Sequence, residues 1–347
     1  MEKLSAHFYS IVLIVVALAV AAWFALYHGG GILKDQTYIQ KKVYTIGILV
    51  RGTGTYELAV EGYKNRLREL GYREGDTIVY DARFLSTPEE LARASEDFIR
   101  NKVDLIHTYS TPATLAAYAA VKNIPAPIPI VFGSVGDPVA TGLIQSIAHP
   151  GGNVTGVASL STELTARRLE LLKEIDPRIR RVAMPHTAED AGDIAANKSV
   201  VIAHQIAKKL GIELVLFPVR TREENANAAG RIRRQKVDGM IVGGDSLVWA
   251  SIDQYIHQAI KEKIPFAAFD ISQVKKGALV GFGPDYAISG KQAALMTHKI
   301  FRGSFPRDIP VEVPEKLLLF VNRSTARAIG IVFPPGFLAE ADQVIGE

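Results

Sequence analysis

From Val43 to the end of the chain, short apolar runs alternate with longer stretches in which apolar residues recur every third or fourth position. The runs read as buried strands and the stretches as amphipathic helices. Strands are predicted over 44–50, 77–84, 104–109 and 128–132, with helices over 57–70, 89–100 and 110–121 between them. The second of these helices has a full start signal, with Thr87 as cap, Pro88 at the first position and Glu90 closing a capping box. A second set of the same units begins near Ser159. Its helices cover 163–175, 194–210, 221–235 and 246–262, and its strands 181–184, 213–219, 238–242 and 266–269. After a strand at 279–282 come a helix over 286–302, an extended Pro-punctuated segment over 309–314 and a last strand over 316–322. Such alternation predicts parallel sheets covered by helices on both faces. The Pro- and Gly-rich stretch 149–153 reads as the turn or hinge approach between the two sets. Two similar lobes place a cleft where the carboxyl ends of both sheets face each other.

The amino-terminal pattern is different. Residues 8–27 are twenty uncharged positions, almost wholly Ile, Val, Leu, Ala, Trp and Phe from 11 to 26. At ~1.5 Å per residue they reach ~30 Å as a helix, enough to cross a bilayer. Ala19-Val20-Ala21 offers a signal-peptidase site, but the apolar run continues through Trp23-Phe24-Ala25-Leu26, which favours an uncleaved signal anchor. Gly29-Gly30-Gly31 then starts a polar tether that ends near Lys42.

Composition narrows the chemistry. The 347 residues include no Cys, which excludes disulfides, thiolate metal sites, a cysteine nucleophile and a lipid-modified cysteine. The formal charge is +4, from 40 basic against 36 acidic residues with the signs interspersed. The densest basic run, Arg231, Arg233, Arg234 and Lys236, has no aromatic neighbour, so no nucleic-acid partner is expected.

Four loops at predicted strand ends are small and polar: the segment from Arg51 to Glu57, Ser110-Thr111-Pro112, the segment from Gly133 to Pro138, and Gly243-Gly244-Asp245-Ser246. The second and fourth join a hydroxyl to the first turn of a helix, where unpaired N–H groups attract a carboxylate. Asp137 and Asp245 suit an ammonium, so a zwitterion fits these residue types, although each position alone also reads as a helix cap or turn residue. Gly52 and Gly54 resemble part of a dinucleotide fingerprint, but Glu57 stands where the third glycine is needed. Gly244-Asp245-Ser246-Leu247 spells the GDSL motif of serine esterases. It lies deep in the second lobe, however, and the only Asp-x-x-His, Asp104 to His107, is upstream in the other lobe. His186 with Asp190 and Asp193 is the best grouping for a metal and reads better as a polar loop.

Several segments in order resemble one family. They are Ile46-Gly47-Ile48-Leu49, Leu67-Arg68-Glu69-Leu70-Gly71-Tyr72, Thr111-Pro112-Ala113, Asp137-Pro138-Val139 and Pro150-Gly151-Gly152-Asn153-Val154-Thr155-Gly156-Val157. Arg168-Leu169-Glu170-Leu171-Leu172-Lys173, Gly283-Pro284-Asp285-Tyr286 and a tail with Thr325-Ala326, Pro334-Pro335 and Ala341-Asp342 continue the series. Together they resemble the ABC transporter substrate-binding proteins of the type I periplasmic-binding fold whose characterised relatives take aromatic amino acids.

The resemblance implies an α/β protein of two Rossmann-like lobes, parallel sheets flanked by helices, with a three-crossing hinge and an N-terminal hydrophobic helix. Lobe 1 would comprise 43–158 with 284–312, and lobe 2 159–283 with 313–347, after an anchor and tether over 1–42. Ser110 and Thr111 would hold a ligand carboxylate, Ser134 and Asp137 would line the cleft, and Asp245 would face an ammonium. Thr55, Tyr56, Ser246, Asp270 and Asp285 complete the candidate ligand-binding set. The implied role is non-enzymatic capture of an amino acid or similar small ligand at the extracytoplasmic face of the membrane and its delivery to an ABC permease, with no cofactor and no metal. A membrane-tethered sensory module and a GDSL-like esterase are the alternatives. His107, Met184-Pro185-His186 and Gly244-Asp245-Ser246 depart from the family pattern, which bears on the ligand more than on the fold.

Overall fold

An interior strand of the first sheet, β1 (Tyr44–Arg51), has Ile46, Ile48, Leu49 and Val50 wholly out of solvent, as a strand covered on both faces requires. The computed structural model describes residues 42–346 apart from 53, 54 and 192, so the hydrophobic span 8–27 lies outside the described residues. Around β1 the order is β2-β1-β3-β4-β5, where β2 is Ile78–Leu85, β3 Leu105–Tyr109, β4 Ile130–Val135 and β5 Val154–Ala158, all parallel. Helices α1 (Thr55–Glu69), α2 (Pro88–Arg100) and α3 (Thr111–Val121) connect them, and α2 starts at the capping box of Thr87 and Glu90. The stretch 149–153, read as the boundary between the two sets, is instead a turn within this lobe. Asn153 O accepts from Ile130 N at 2.8 Å and leads directly into β5, a strand the periodicity did not single out.

The second sheet has the order β12-β11-β10-β9-β8-β6-β7. Its strands are β6 (Arg181–Thr187), β7 (Glu213–Val219), β8 (Gly239–Ile241), β9 (Phe266–Ala268), β10 (Val280–Pro284), β11 (Leu317–Asn322) and β12 (Gln343–Ile345). The helices in chain order are α4 (Thr165–Ile175), α5 (Ile194–Leu210), α6 (Arg222–Ala228), α7 (Ser246–Trp249), α8 (Ile252–Lys261), α9 (Ile271–Lys275), α10 (Tyr286–Phe301), α11 (Arg323–Ile329) and α12 (Phe337–Glu340). The expectation of wholly parallel sheets fails at one pair, since β10 and β11 run antiparallel with Val280 opposite Val321. No helix of this lobe carries the chain back between them, so β11 enters from the opposite end. The helix predicted over 246–262 breaks at Ala250 and Ser251, and that over 221–235 ends at Ala228, just before Gly230.

The chain passes between the sheets three times. After β5 it moves to α4, which packs on lobe 2 through Leu169, Leu171 and Leu172. After β10 it returns as α10, whose Ala293, Ala294 and Met296 share a core with Ile46, Ile48 and Val50 of β1. The last passage leads into β11 and is pinned by buried Gln292, whose amide donates to Glu312 Oε2 (2.9 Å) and Val313 O (3.0 Å) and accepts from Glu315 N (3.0 Å).

Beneath this core, β3 carries a fully buried imidazole. His107 stacks on Tyr63 at 3.9 Å between ring centroids, and its Nδ1–H donates to Val131 O at 2.7 Å, leaving Nε2 without a partner. Burial pushes its pKa down to about 3. A histidine held neutral in the fold and free to protonate when unfolded withdraws stability as pH falls below its unfolded pKa of about 6.5, at about 1.4 kcal/mol per unit. Urea unfolding at pH 7.5 and pH 5 is expected to differ by about 2 kcal/mol through this group. His107→Leu should remove that part of the difference, and an unaltered pH dependence would refute the assignment.

A candidate ligand cleft between the lobes

The carboxyl ends of both sheets line one cavity of about 960 Å³. Lobe 1 contributes Arg51 and Gly52 from the end of β1, Tyr56 from α1, Ser110 and Thr111 after β3, and Ser134 and Gly136 at β4. Lobe 2 contributes Gly244, Asp245 and Ser246 after β8, Trp249 from α7, and Asp270 after β9. This is where open α/β sheets leave backbone N–H groups and loop side chains unspent.

Two serines on the lobe 1 wall sit in a backbone region that side chains avoid. Ser110 has φ +87° and Ser134 φ +60°, and both are cavity-lining. Strain of this kind persists where the surroundings hold it, and here it turns both loops toward the cleft. Ser110 Oγ accepts from Ala113 N at 3.4 Å as the cap of α3. Thr111 Oγ1 accepts from Gly136 N at 3.2 Å, tying the loop after β3 to that after β4. Ser134 donates to Tyr56 Oη at 3.5 Å, and the Tyr56 ring stacks on Tyr109 at 5.7 Å and meets Tyr286 edge-on at 5.6 Å. Burial, reinforced by Asp270, pushes the Tyr56 phenol up to about 12. On the other lobe, Trp249 Nε1 donates to Gly243 O at 2.9 Å and its ring lies 4.9 Å from Phe269.

The acids divide by how fully they are used. Asp245, almost wholly buried, accepts from Thr187 N (2.5 Å), Thr187 Oγ1 (2.9 Å) and Val248 N (2.9 Å), so it caps α7 and fastens the end of β6. Asp270 accepts at Oδ1 from Ser272 Oγ (2.7 Å) and Gln273 N (3.0 Å), while among the described residues its Oδ2 has no hydrogen-bond partner. Asp137 and Asp285 are not on the cavity wall. Asp137 accepts from Ala140 N at 3.0 Å and pairs with Lys198 of α5 at 2.9 Å, and Lys198 also reaches Glu163 at 3.1 Å. Asp285 caps α10 through Ile288 N at 3.1 Å. Thr55 is placed as the first residue of α1, and its side chain lies outside the described residues.

Ser246 lines the cavity, but among the described residues its hydroxyl has no hydrogen-bonding imidazole. Nδ1–H of His186 donates to Thr187 O at 2.9 Å. Of the residues weighed for a metal, Asp190 pairs with Arg220 at 3.2 Å and Asp193 caps α5 through Ala196 N at 2.9 Å. No group of three His, Asp or Glu suited to a metal occurs among the described residues.

One residue beneath the cleft lies in a family-resembling segment but outside the candidate ligand-binding set. Arg168 is fully buried, with no carboxylate within ion-pair distance among the described residues; it donates to Val242 O at 2.7 Å and Ser161 O at 3.3 Å, and its guanidinium lies 4.7 Å from the Phe269 ring centroid. Burial lowers its pKa to about 9, so it is a cation at neutral pH. It falls in helical register with Leu171, Leu172 and Ile175 on the buried stripe of α4, and that spacing is the signal that marks it.

A family model described as ABC transporter substrate binding protein matches residues 45–345. The chain belongs to that family. It is similar to a tyrosine-binding protein of Clostridioides difficile, 32% identical over 274 residues that cover 78% of this chain and 76% of that protein. Among solved structures it is similar to a ligand-free, open substrate-binding protein with adhesive properties from Clostridium difficile. The identity there is 27%, with 88% of this chain and 100% of that one covered and a TM-score of 0.66. An ABC domain from Streptococcus pneumonia in complex with L-Trp shares the fold at 24% identity, with 88% and 100% of the two chains covered and a TM-score of 0.79. The two α/β lobes are thus of the type I periplasmic-binding kind, and family and fold are those of solute-binding proteins rather than enzymes.

Proposed function

We propose that the cleft captures an α-amino acid with an aromatic side chain and that the protein delivers it to the permease of an ABC transporter from the extracytoplasmic face of the membrane. Residues 8–27 would hold the protein there. The moving bodies would be 43–158 with 284–312 and 159–283 with 313–347, closing over the ligand by contacts that only the closed state makes. The observation that carries the reading is the unused Oδ2 of Asp270, on the lobe opposite the start of α3. An ammonium would meet Asp270, and a carboxylate would meet the Ser110 and Thr111 hydroxyls at the positive end of that helix. Tyr56 and Trp249, one on each lobe, offer ring faces to an aromatic side chain. The names of the tyrosine-binding relative and of the L-Trp complex point the same way.

Asp270→Asn tests this cleanly, because Asn caps a helix as well as Asp does and keeps α9 formed. Calorimetric titration with L-tyrosine, L-tryptophan and L-phenylalanine is expected to show affinity lowered at least about tenfold in the variant, or 1.4 kcal/mol. Equal affinity in the two proteins would overturn the ammonium assignment, and absence of binding to any of the three would overturn the ligand class.

A further inference from the structure

The basic side chains on the cavity are unequally matched. Lys276 is clamped by Asp253 at 2.7 and 3.0 Å. Arg51 and Arg222 have no such partner. Arg51 ends β1 and lines the cavity from lobe 1; Arg222 opens α6 and lines it from lobe 2. Among the described residues neither has a carboxylate within ion-pair distance, and Arg51 makes no side-chain hydrogen bond. Arg222 reaches across to lobe 1 only to donate to Ser86 O at 3.4 Å. The two guanidiniums also sense each other, since burial and then the Arg222 charge hold the Arg51 pKa below its ordinary value.

Like charges on opposite lobes oppose closure, and partial burial sharpens the repulsion because less water screens it. An anion between them reverses the sign. A guanidinium fork donates to two oxygens of a carboxylate or phosphate in one plane, and two forks from opposite sides hold such a group more firmly than either alone. The acidic side chains on the wall, Asp193, Asp245 and Asp270, belong to lobe 2 and engage helix N-termini or loop donors.

We propose that an anionic oxyacid group, carboxylate or phosphate in type, seats between Arg51 and Arg222 and links the lobes when the cleft closes on its ligand. This rests on the reading of the cleft as an amino-acid site and adds a second anionic subsite to it, separate from the hydroxyls of Ser110 and Thr111. The group is either an acid on the ligand's own side chain or a free anion bound with it. The pair therefore sets specificity, favouring an acid-tailed ligand or making uptake of a neutral-tailed one depend on the anion.

The test uses the full chain in mild detergent, as wild type, Arg51→Gln and Arg222→Gln, with folding checked by the thermal midpoint without ligand. Titrations compare L-phenylalanine, L-phenylalanine with inorganic phosphate, and 4-carboxy-L-phenylalanine. If the ligand supplies the acid, the carboxylated analogue binds at least tenfold tighter than L-phenylalanine; if a free anion does, phosphate raises L-phenylalanine affinity at least tenfold. In either case the gain disappears in both variants. A wild type with neither gain, or a gain that persists in both variants, overturns the proposal even where L-phenylalanine binds well and the amino-acid reading stands. Should no amino acid bind, phosphate alone decides: a rise in the wild-type thermal midpoint that both variants lose supports the paired arginines, and no rise refutes them.

Discussion

Arg168→Ala is expected to destabilise the protein by about 4 kcal/mol, as two buried carbonyl oxygens lose their donor and a cavity opens beneath the cleft. The guanidinium joins three segments: α4, which carries it; the first inter-lobe passage, through Ser161 O; and the end of β8, through Val242 O. Val242 and Ser161 are both buried, so replacing the lost bonds requires rearrangement. Arg168→Lys should recover less than half, since one ammonium cannot present a planar fork to two carbonyls while lying against Phe269. The urea midpoint at pH 7 measures both. A loss below about 1 kcal/mol for the alanine variant would mean that the surrounding loops collapse onto the vacancy and that the cation is dispensable.

Gly290→Ala is the second large effect, expected at about 3 kcal/mol or more although it adds only one methyl group. A Cβ at Gly290 would stand 2.0 Å from Ala59 O of α1, and one at Gly62 would stand 2.2 Å from Ala287 O of α10. The contact is reciprocal: Ala59-x-x-Gly62 on one helix faces Ala287-x-x-Gly290 on the other, each glycine accommodating the other helix's carbonyl. Both obstructions are backbone, so relief requires moving a whole helix away from the core of β1. Gly62→Ala should behave alike, and the double variant should cost less than the sum, because the first methyl already separates the helices. Equal unfolding midpoints for wild type and Gly290→Ala would show that the helices slide apart freely.

How much of this was legible in the chain depends on how local each cause is. The buried strands β1 and β3 and the cap at Thr87 declare themselves, because a continuous apolar run and a capping box are properties of consecutive residues. The short strand β5 was hidden by its small residues, Thr155 and Gly156, and by the turn before it. The antiparallel β11 was hidden because strand direction follows from where α10 has carried the chain. Tyr56, Ser110, Thr111, Ser134, Asp245, Ser246 and Asp270 were reached from strand ends and from resemblance, and all lie on one cavity. Asp137 and Asp285 are equally polar and equally near strand ends, yet they point into a cross-lobe ion pair and a helix cap. Residue type and spacing are the same in the two groups; orientation within the loop decides, and it is set by contacts distant in sequence. Arg167 and Arg168 make the point within one dipeptide, as the first pairs with Glu170 and Glu174 on the surface and the second lies inside.

The return of α10 to the first lobe also bears on the order in which the protein can be made. The five strands of that lobe are complete at Ala158, but the helix that covers one of their faces ends at Phe301. At about 5–20 residues per second, a ribosome needs roughly 7–30 s to supply the intervening segment. During that interval Ile46, Ile48 and Val50 have no α10 to bury them, and the nascent chain offers an adhesive apolar face to anything nearby. A discontinuous lobe therefore makes protection from aggregation during synthesis, by a chaperone or by engagement with an export machinery, part of what this topology demands.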